Sequence, residues 1–328
     1  MLSLASAAAT DEPDPPEPLQ IGDPYPYDFD REQPHLAMKL RLMGDQLDLL
    51  RLDGSLESWN VETGMRTRLQ HVDDAAFHAL ERDQTLTLRE RALSLSAAGK
   101  TTRFDTSSAE HIALGHLVVT ALGQTVTWQV VGNDTRKGRF QTRLPIRNAL
   151  SIAPSQPWIA AATGVYIAGT GHVTDLEWIN TGSGGNAMYE RPEDEIVGMW
   201  NIAITDNGRL AAATQRDGRS GLIVLDVTTG DVIFRRAGFE SYWIRGLSMS
   251  PDGRFLLSGD EKGWLRLWHI DRNALILERK EPLPIQSTAI DPTRRHIAWG
   301  RWDGTVAVMA LDPFDESETG QPEEHAVH

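Results

Sequence analysis

The chain offers few residues suited to covalent or metal chemistry. It has no cysteine, which removes disulfides, thiolate metal sites and cysteine nucleophiles at once. Its ten histidines form no compact cluster with carboxylates. His71 beside Asp73 and Asp74 comes nearest, but no third ligand type stands close, so it reads as a solvated connection between strands. Ser248-Met249-Ser250 lacks the glycine spacing of a nucleophile elbow. The glycine-rich stretch TGSGGNAMYERPEDE at 181–195 lacks the Gly-Lys-Ser/Thr ending and the following helix that hold a phosphate. No catalytic residue, cofactor or metal ligand is therefore expected. Recognition chemistry is better supplied. Seven of the ten tryptophans lie after residue 170, with tyrosine and arginine among them, and these side chains bury large areas with few rotors to freeze.

Such residues need a rigid frame, and the frame is legible as a repeat. Residues 246–271, GLSMSPDGRFLLSGDEKGWLRLWHID, run from an alternating strand through a Pro251-Asp252-Gly253 turn into a second strand. A turn through Gly259 and Gly263 leads to a third strand ending at Trp268. STAIDPTRRHIAWGRWDGTVAVMALD repeats the order, with turns at Asp291-Pro292 and Asp303-Gly304. NIAITDNGRLAAATQRDGRSGLIVLDVTTGD at 201–231 does so with Asn207-Gly208 and Asp217-Gly218. A fourth unit at 149–168 places its turns at Pro154 to Pro157 and at Gly164, and residues 47–64 form the first, with Asp53-Gly54 and Trp59. Degenerate units at 75–100 and 111–132 bring the count to seven. Third strands ending near Trp128, Ile167 and Leu225 leave one long gap, read as a surface loop inserted at 169–197.

This grammar resembles the WD-repeat family over nearly all of residues 36–311. The resemblance implies an all-β, seven-bladed β-propeller of four-stranded antiparallel blades. The closing Trp-Asp pair is absent at every third-strand end, for example at Trp59-Asn60 and Trp268-His269. The buried Asp-His-Ser-Trp network of the family is accordingly not expected, and apolar packing between blades must carry more of the stability. Trp59, Trp128, Trp268 and Trp299 fall on strands and are assigned to that core. The last unit lacks a fourth strand. Family practice places an N-terminal segment there, and Leu19 to Phe29, LQIGDPYPYDF, is the segment available. An open ring would expose the edges of its first and last sheets.

The family binds partners most often through the rim formed by the connections into the inner strands and between second and third strands. Here Trp200, Tyr242, Trp243, Arg245, Lys262, Trp264, Arg301 and Trp302 fall at or beside those connections in blades five to seven. They are the candidate partner-binding residues.

Charge narrows the partner. The net charge of -14 resides mostly in two segments. Residues 1–33 hold eight acidic residues against Arg31 alone, and 312–328 hold six acidic residues with no lysine or arginine, which leaves the body close to neutral. A body without a broad cationic field is a poor match for nucleic acid. The proline-rich, acidic residues 1–34 read as an arm, part of which (19–29) completes the last blade, and 312–328 as an acidic disordered tail. No run reaches the roughly 20 apolar residues that span a bilayer, so direct membrane insertion is not expected. The reading is a non-catalytic scaffold, a subunit of a hetero-complex that binds another protein, with the cytoplasm as the expected compartment. Two alternatives stand beside it: an enzyme or small-molecule binder using the central channel, and an extracytoplasmic module of a membrane assembly whose export signal is truncated at Met1 to Thr10, MLSLASAAAT. The small, apolar inner strands count against the channel.

Overall fold

The structure is a computed structural model that describes residues 17–311 apart from 23, 25–35, 72–77, 82–83, 90–91, 98–99, 106–110, 115, 131–132, 168–170, 190–197, 217–218, 242 and 294. The described residues form twenty-eight strands and no helix. They are arranged in seven four-stranded antiparallel sheets, six of them built from strands consecutive in sequence. The first sheet comprises β2 (Ala37–Met43), β3 (Gln46–Arg51), β4 (Ser55–Asn60) and β5 (Met65–His71). The sixth comprises β22 (Ile244–Met249), β23 (Phe255–Asp260), β24 (Trp264–His269) and β25 (Ala274–Lys280). The seventh contains β26 (Ile285–Ile290), β27 (His296–Arg301) and β28 (Val306–Ala310), with β1 (Leu19–Ile21) as its outer strand. Leu19 lies opposite Val308 and Ile21 opposite Val306, so three residues of the proposed Leu19 to Phe29 segment pair with β28. Of the rest of that segment, only Gly22 and Pro24 are described.

Central strands are buried on both faces where a sheet packs against a neighbour on either side. In β23 all six residues are buried. Leu257 joins a cluster with Ile297 and Trp299 of the seventh sheet. Leu256, pointing the other way, packs with Leu222 and Phe234 of the fifth. Similar clusters join the third sheet to the fourth, the fourth to the fifth and the seventh to the first. Trp268 and Trp299 are buried in them as expected, whereas Trp59 and Trp128 are only half-buried. Trp128 lies over Gly138, where a Cβ would stand 2.7 Å from the indole.

The fourth sheet corrects the sequence reading. Residues 169–197 are not an inserted loop. They contain β16 (Gly171–Asn180) and β17 (Asn186–Tyr189), the third and fourth strands of that sheet, following β14 (Ile146–Ile152) and β15 (Trp158–Ile167). Gly164 is no turn residue. It pairs with Thr174 in mid-strand, and the β16 backbone approaches so closely that a Cβ there would lie 2.3 Å from the Val173 carbonyl oxygen. Its lack of a side chain serves close approach of the neighbouring strand and not a bend. Trp178 is consequently buried, and its indole N–H donates to the Val227 carbonyl of the fifth sheet at 2.9 Å.

Turns on one face lock neighbouring sheets together. Asp206 accepts hydrogen bonds from the backbone N–H groups of Ser155 and Gln156 at 2.7 and 2.9 Å. Arg209 donates to the Gly253 carbonyl at 2.9 Å, and buried Asp291 accepts from the Gly44 N–H at 2.9 Å. These charge-assisted bonds tie the turns of neighbouring sheets to one another.

Candidate protein-interaction rim

On the opposite face the connections of sheets five to seven bring part of the expected set together. Trp243 precedes β22, and its carbonyl accepts from the Glu261 N–H in the β23–β24 turn at 3.0 Å. Trp302 opens the β27–β28 turn and donates its backbone N–H to Pro284 at 3.1 Å. Both residues are partly exposed, although the indole nitrogen of Trp302 is enclosed. Arg245, exposed at the start of β22, reaches across to the seventh sheet and places its guanidinium 5.1 Å from the Trp302 ring centre. Trp264, half-exposed at the start of β24, sits between two cations. Arg266 lies 5.1 Å and Lys280 5.2 Å from its ring, and Lys280 donates to the carbonyl of exposed Lys262. The rim thus carries two aromatic–cation stacks, one bridging the sixth and seventh sheets and one on the sixth.

Arg301 does not belong to it. Its side chain is 8% exposed, and the guanidinium donates to Glu281 at 2.6 Å, to Thr305 at 3.3 Å and to Gln20. The carboxylate of Glu281 also accepts from Arg279 at 2.7 Å, and Arg279 lies 3.6 Å from Glu17. The reason is geometric: Arg301 is the last residue of β27 and points inward beside β1, so its charge is spent holding the N-terminal strand. Burial acts to raise the pKa of Glu281, but the Arg279 and Arg301 guanidiniums outweigh it and hold the carboxyl below its ordinary range. Trp200 lies on β18 (Gly198–Ile204), with its side chain outside the described residues, as is Tyr242 entirely.

Sequence reasoning missed Glu281, Arg51 and Asp260, the other members of this buried ionic layer. Arg51 bonds Glu57 at 2.5 Å and the Gly304 carbonyl at 2.8 Å, joining the first sheet to the seventh. Asp260 pairs with Arg266 at 3.2 Å. Arg51, Asp260 and Arg301 all end the second strand of their sheets. A charged residue recurring at that repeat position was the available signal.

Among the described residues no group of three or more His, Asp or Glu side chains is placed to hold a metal ion. A concavity of about 420 Å³ lies on the side of the third sheet against Thr120, Thr127, Trp128 and Arg139, away from the inner strands. Among the described residues no helix is long and apolar enough to cross a membrane.

Seven sheets of four antiparallel strands, six of them joined to neighbours through apolar clusters, define a protein of β-propeller type. Residues 233–269 match the model of the WD40 family, described as "WD domain, G-beta repeat". That stretch runs from the outer strand of the fifth sheet to the third strand of the sixth, and the WD-repeat β-propeller resemblance rests on it. No curated protein matches the chain. Among solved structures, hydrazine synthase of Kuenenia stuttgartiensis is similar over 86% of this chain and 97% of its own, with a TM-score of 0.64 and 12% identity. The computationally designed Ika8 protein is similar over 85% and 97%, with a TM-score of 0.58 and 13% identity. At those identities the likeness concerns the fold alone.

Proposed function

We propose that the chain is a non-catalytic platform that binds another protein through the rim of the sixth and seventh sheets, as a subunit of a hetero-complex. WD40 repeats generally mediate protein–protein interaction, which supports the class. The observation that carries the particular surface is the Arg245–Trp302 stack with half-exposed Trp243 at the neighbouring connection. Large rings pre-positioned by backbone hydrogen bonds lose little entropy on burial. The frame that presents them is a closed seven-bladed ring, with β1 as the strand that completes the last blade. Sheet-to-sheet packing of the first on the seventh, and the Arg301–Gln20 contact, support that closure.

The test is affinity purification of the tagged chain beside a Trp243→Ala/Trp302→Ala variant. A stoichiometric protein captured by the parent and lost in the variant, with the melting temperature moved by less than about 3 °C, is the expected result. Equal capture by both would remove the rim from the account. A co-purifying small molecule without a protein would turn the search to the channel.

A further inference from the structure

The rim that binds a partner also carries chemistry that would select one. At the end of the sixth sheet that holds Trp243 and Trp264, three exposed cations occur: Arg245 at the start of β22, Lys262 in the β23–β24 turn and Lys280 at the end of β25. Arg219, exposed at the start of β20 (Arg219–Asp226), adds a fourth at the same end of the fifth sheet. Among the described residues none of the four pairs with a carboxylate. The acidic residues of this end are mostly committed. Asp260 and Glu281 are buried against Arg266 and Arg301, and Glu278 bonds Arg266 at 2.7 Å. Asp303 accepts from the N–H and hydroxyl of Thr305 in its own turn at 3.0 and 2.7 Å. That leaves Glu240 and Glu261 beside four cations, in a chain whose net charge is -14.

Arg245 is the most prepared of the four. Its backbone is clamped from the fifth sheet, where the side-chain amide of Asn201 on β18 donates to the Ile244 and Arg245 carbonyls at 2.9 and 2.6 Å. Its guanidinium is held from the seventh sheet by the Trp302 ring. Stacking occupies a face of the guanidinium and leaves its N–H edge able to grip a carboxylate with two parallel bonds. Two tethers also restrict the side chain before a ligand arrives, so little entropy remains to be lost on binding. Trp302 has its indole nitrogen enclosed, so its ring offers apolar contact rather than a hydrogen bond. With Trp243 partly exposed at the neighbouring connection, the surface sets a fixed cation beside apolar aromatic area.

We propose that the rim recognises an acidic segment of its partner, with a carboxylate on Arg245 and an adjoining aromatic or aliphatic side chain against Trp302 and Trp243. Lys262, Lys280 and Arg219 extend the attraction towards the fifth sheet, and Asn201 is a positioning residue that acts through the Arg245 backbone. The inference rests on the rim reading above and adds the chemistry of what the rim takes.

The test is selection of a random peptide display library on the immobilised whole chain. Peptides enriched on the parent should carry an excess of Asp and Glu beside an aromatic or large aliphatic residue. A selected peptide should bind Arg245→Glu at least about tenfold more weakly, the scale of a lost charge-assisted pair, with the melting temperature within about 3 °C of the parent's. It should weaken too in about 0.5 M salt, where the screening length is roughly 4 Å. Selection on Arg245→Glu itself should lose the acidic excess. Asn201→Ala should weaken the peptide about threefold in the parent and not in an Arg245→Ala background, as expected of one residue acting through another. No acidic excess on the parent, or an excess that survives Arg245→Glu unchanged, would overturn the proposal. If Trp243→Ala/Trp302→Ala still abolishes capture of a protein in that case, the rim stands and only its assigned chemistry falls. Enriched peptides that bind the double tryptophan variant as well as the parent would remove both. An Asn201 effect that persists without Arg245 would remove the positioning role.

Discussion

Replacing Arg301 by alanine separates a structural charge from a binding one. In the parent its guanidinium satisfies Glu281, which is 2% exposed, and reaches Gln20 and Thr305. Alanine leaves Glu281 buried with Arg279 as its remaining ionic partner and frees β1 from its side-chain tether. Breaking a buried, hydrogen-bonded ion pair from one side costs about 3–5 kcal/mol, because the remaining charge stays desolvated. For a folded unit of roughly 280 residues the unfolding entropy is about 0.6 kcal/mol per kelvin, so the melting temperature should fall by about 5–8 °C. Circular dichroism melts of parent and variant measure it. Lysine at 301 should recover only part of the loss, having no planar fork to bond the carboxylate twice. A variant that melts within 1 °C of the parent yet no longer captures the partner would refute this reasoning and return Arg301 to the rim.

The other predictions concern the fourth sheet, the ionic layer and the rim. Trp178→Ala removes a fully enclosed ring and its bond to Val227, and should destabilise by about 3–5 kcal/mol in chemical denaturation; a surface loop at 169–197 would leave the midpoint unmoved. Glu281, Asp48 and Asp206 have carboxyls held below their ordinary range. In each, burial acts upward and is outweighed, by Arg279 and Arg301 for the first, by Ser58, Gln46 and Arg41 for the second, and by Ser155 and Gln156 for the third. Their stabilisation is full above the unfolded carboxyl pKa of about 4 and is lost as pH falls through the lower folded values. The melting temperature should therefore drop steeply below about pH 4, and Glu281→Gln should flatten that limb while lowering stability at pH 7. Arg245→Ala should weaken partner capture with little change in the melt, because the side chain is exposed and its loss only uncovers the Trp302 ring.

What the sequence determined by itself is the repeating unit. Alternating apolar strands around Asp53-Gly54, Asn207-Gly208, Pro251-Asp252-Gly253 and Asp303-Gly304 name their own turns, since Gly54, Gly208, Gly253 and Gly304 all adopt the positive φ that glycine alone takes without strain. Local chemistry of this kind needs no knowledge of distant residues. The fourth sheet escaped because Gly164 serves a neighbouring strand, and a close approach leaves the same letter in the sequence as a bend. The rim was half legible for the same reason. Trp243, Arg245 and Trp302 fall at connections that turn signals reveal, and the structure stacks two of them. Only the tertiary structure decided that Arg301, one residue before Trp302, turns inward to Glu281 and Gln20. Glu281 lies 20 residues before it and Gln20 281, and a charge becomes structural only where folding encloses it with such partners.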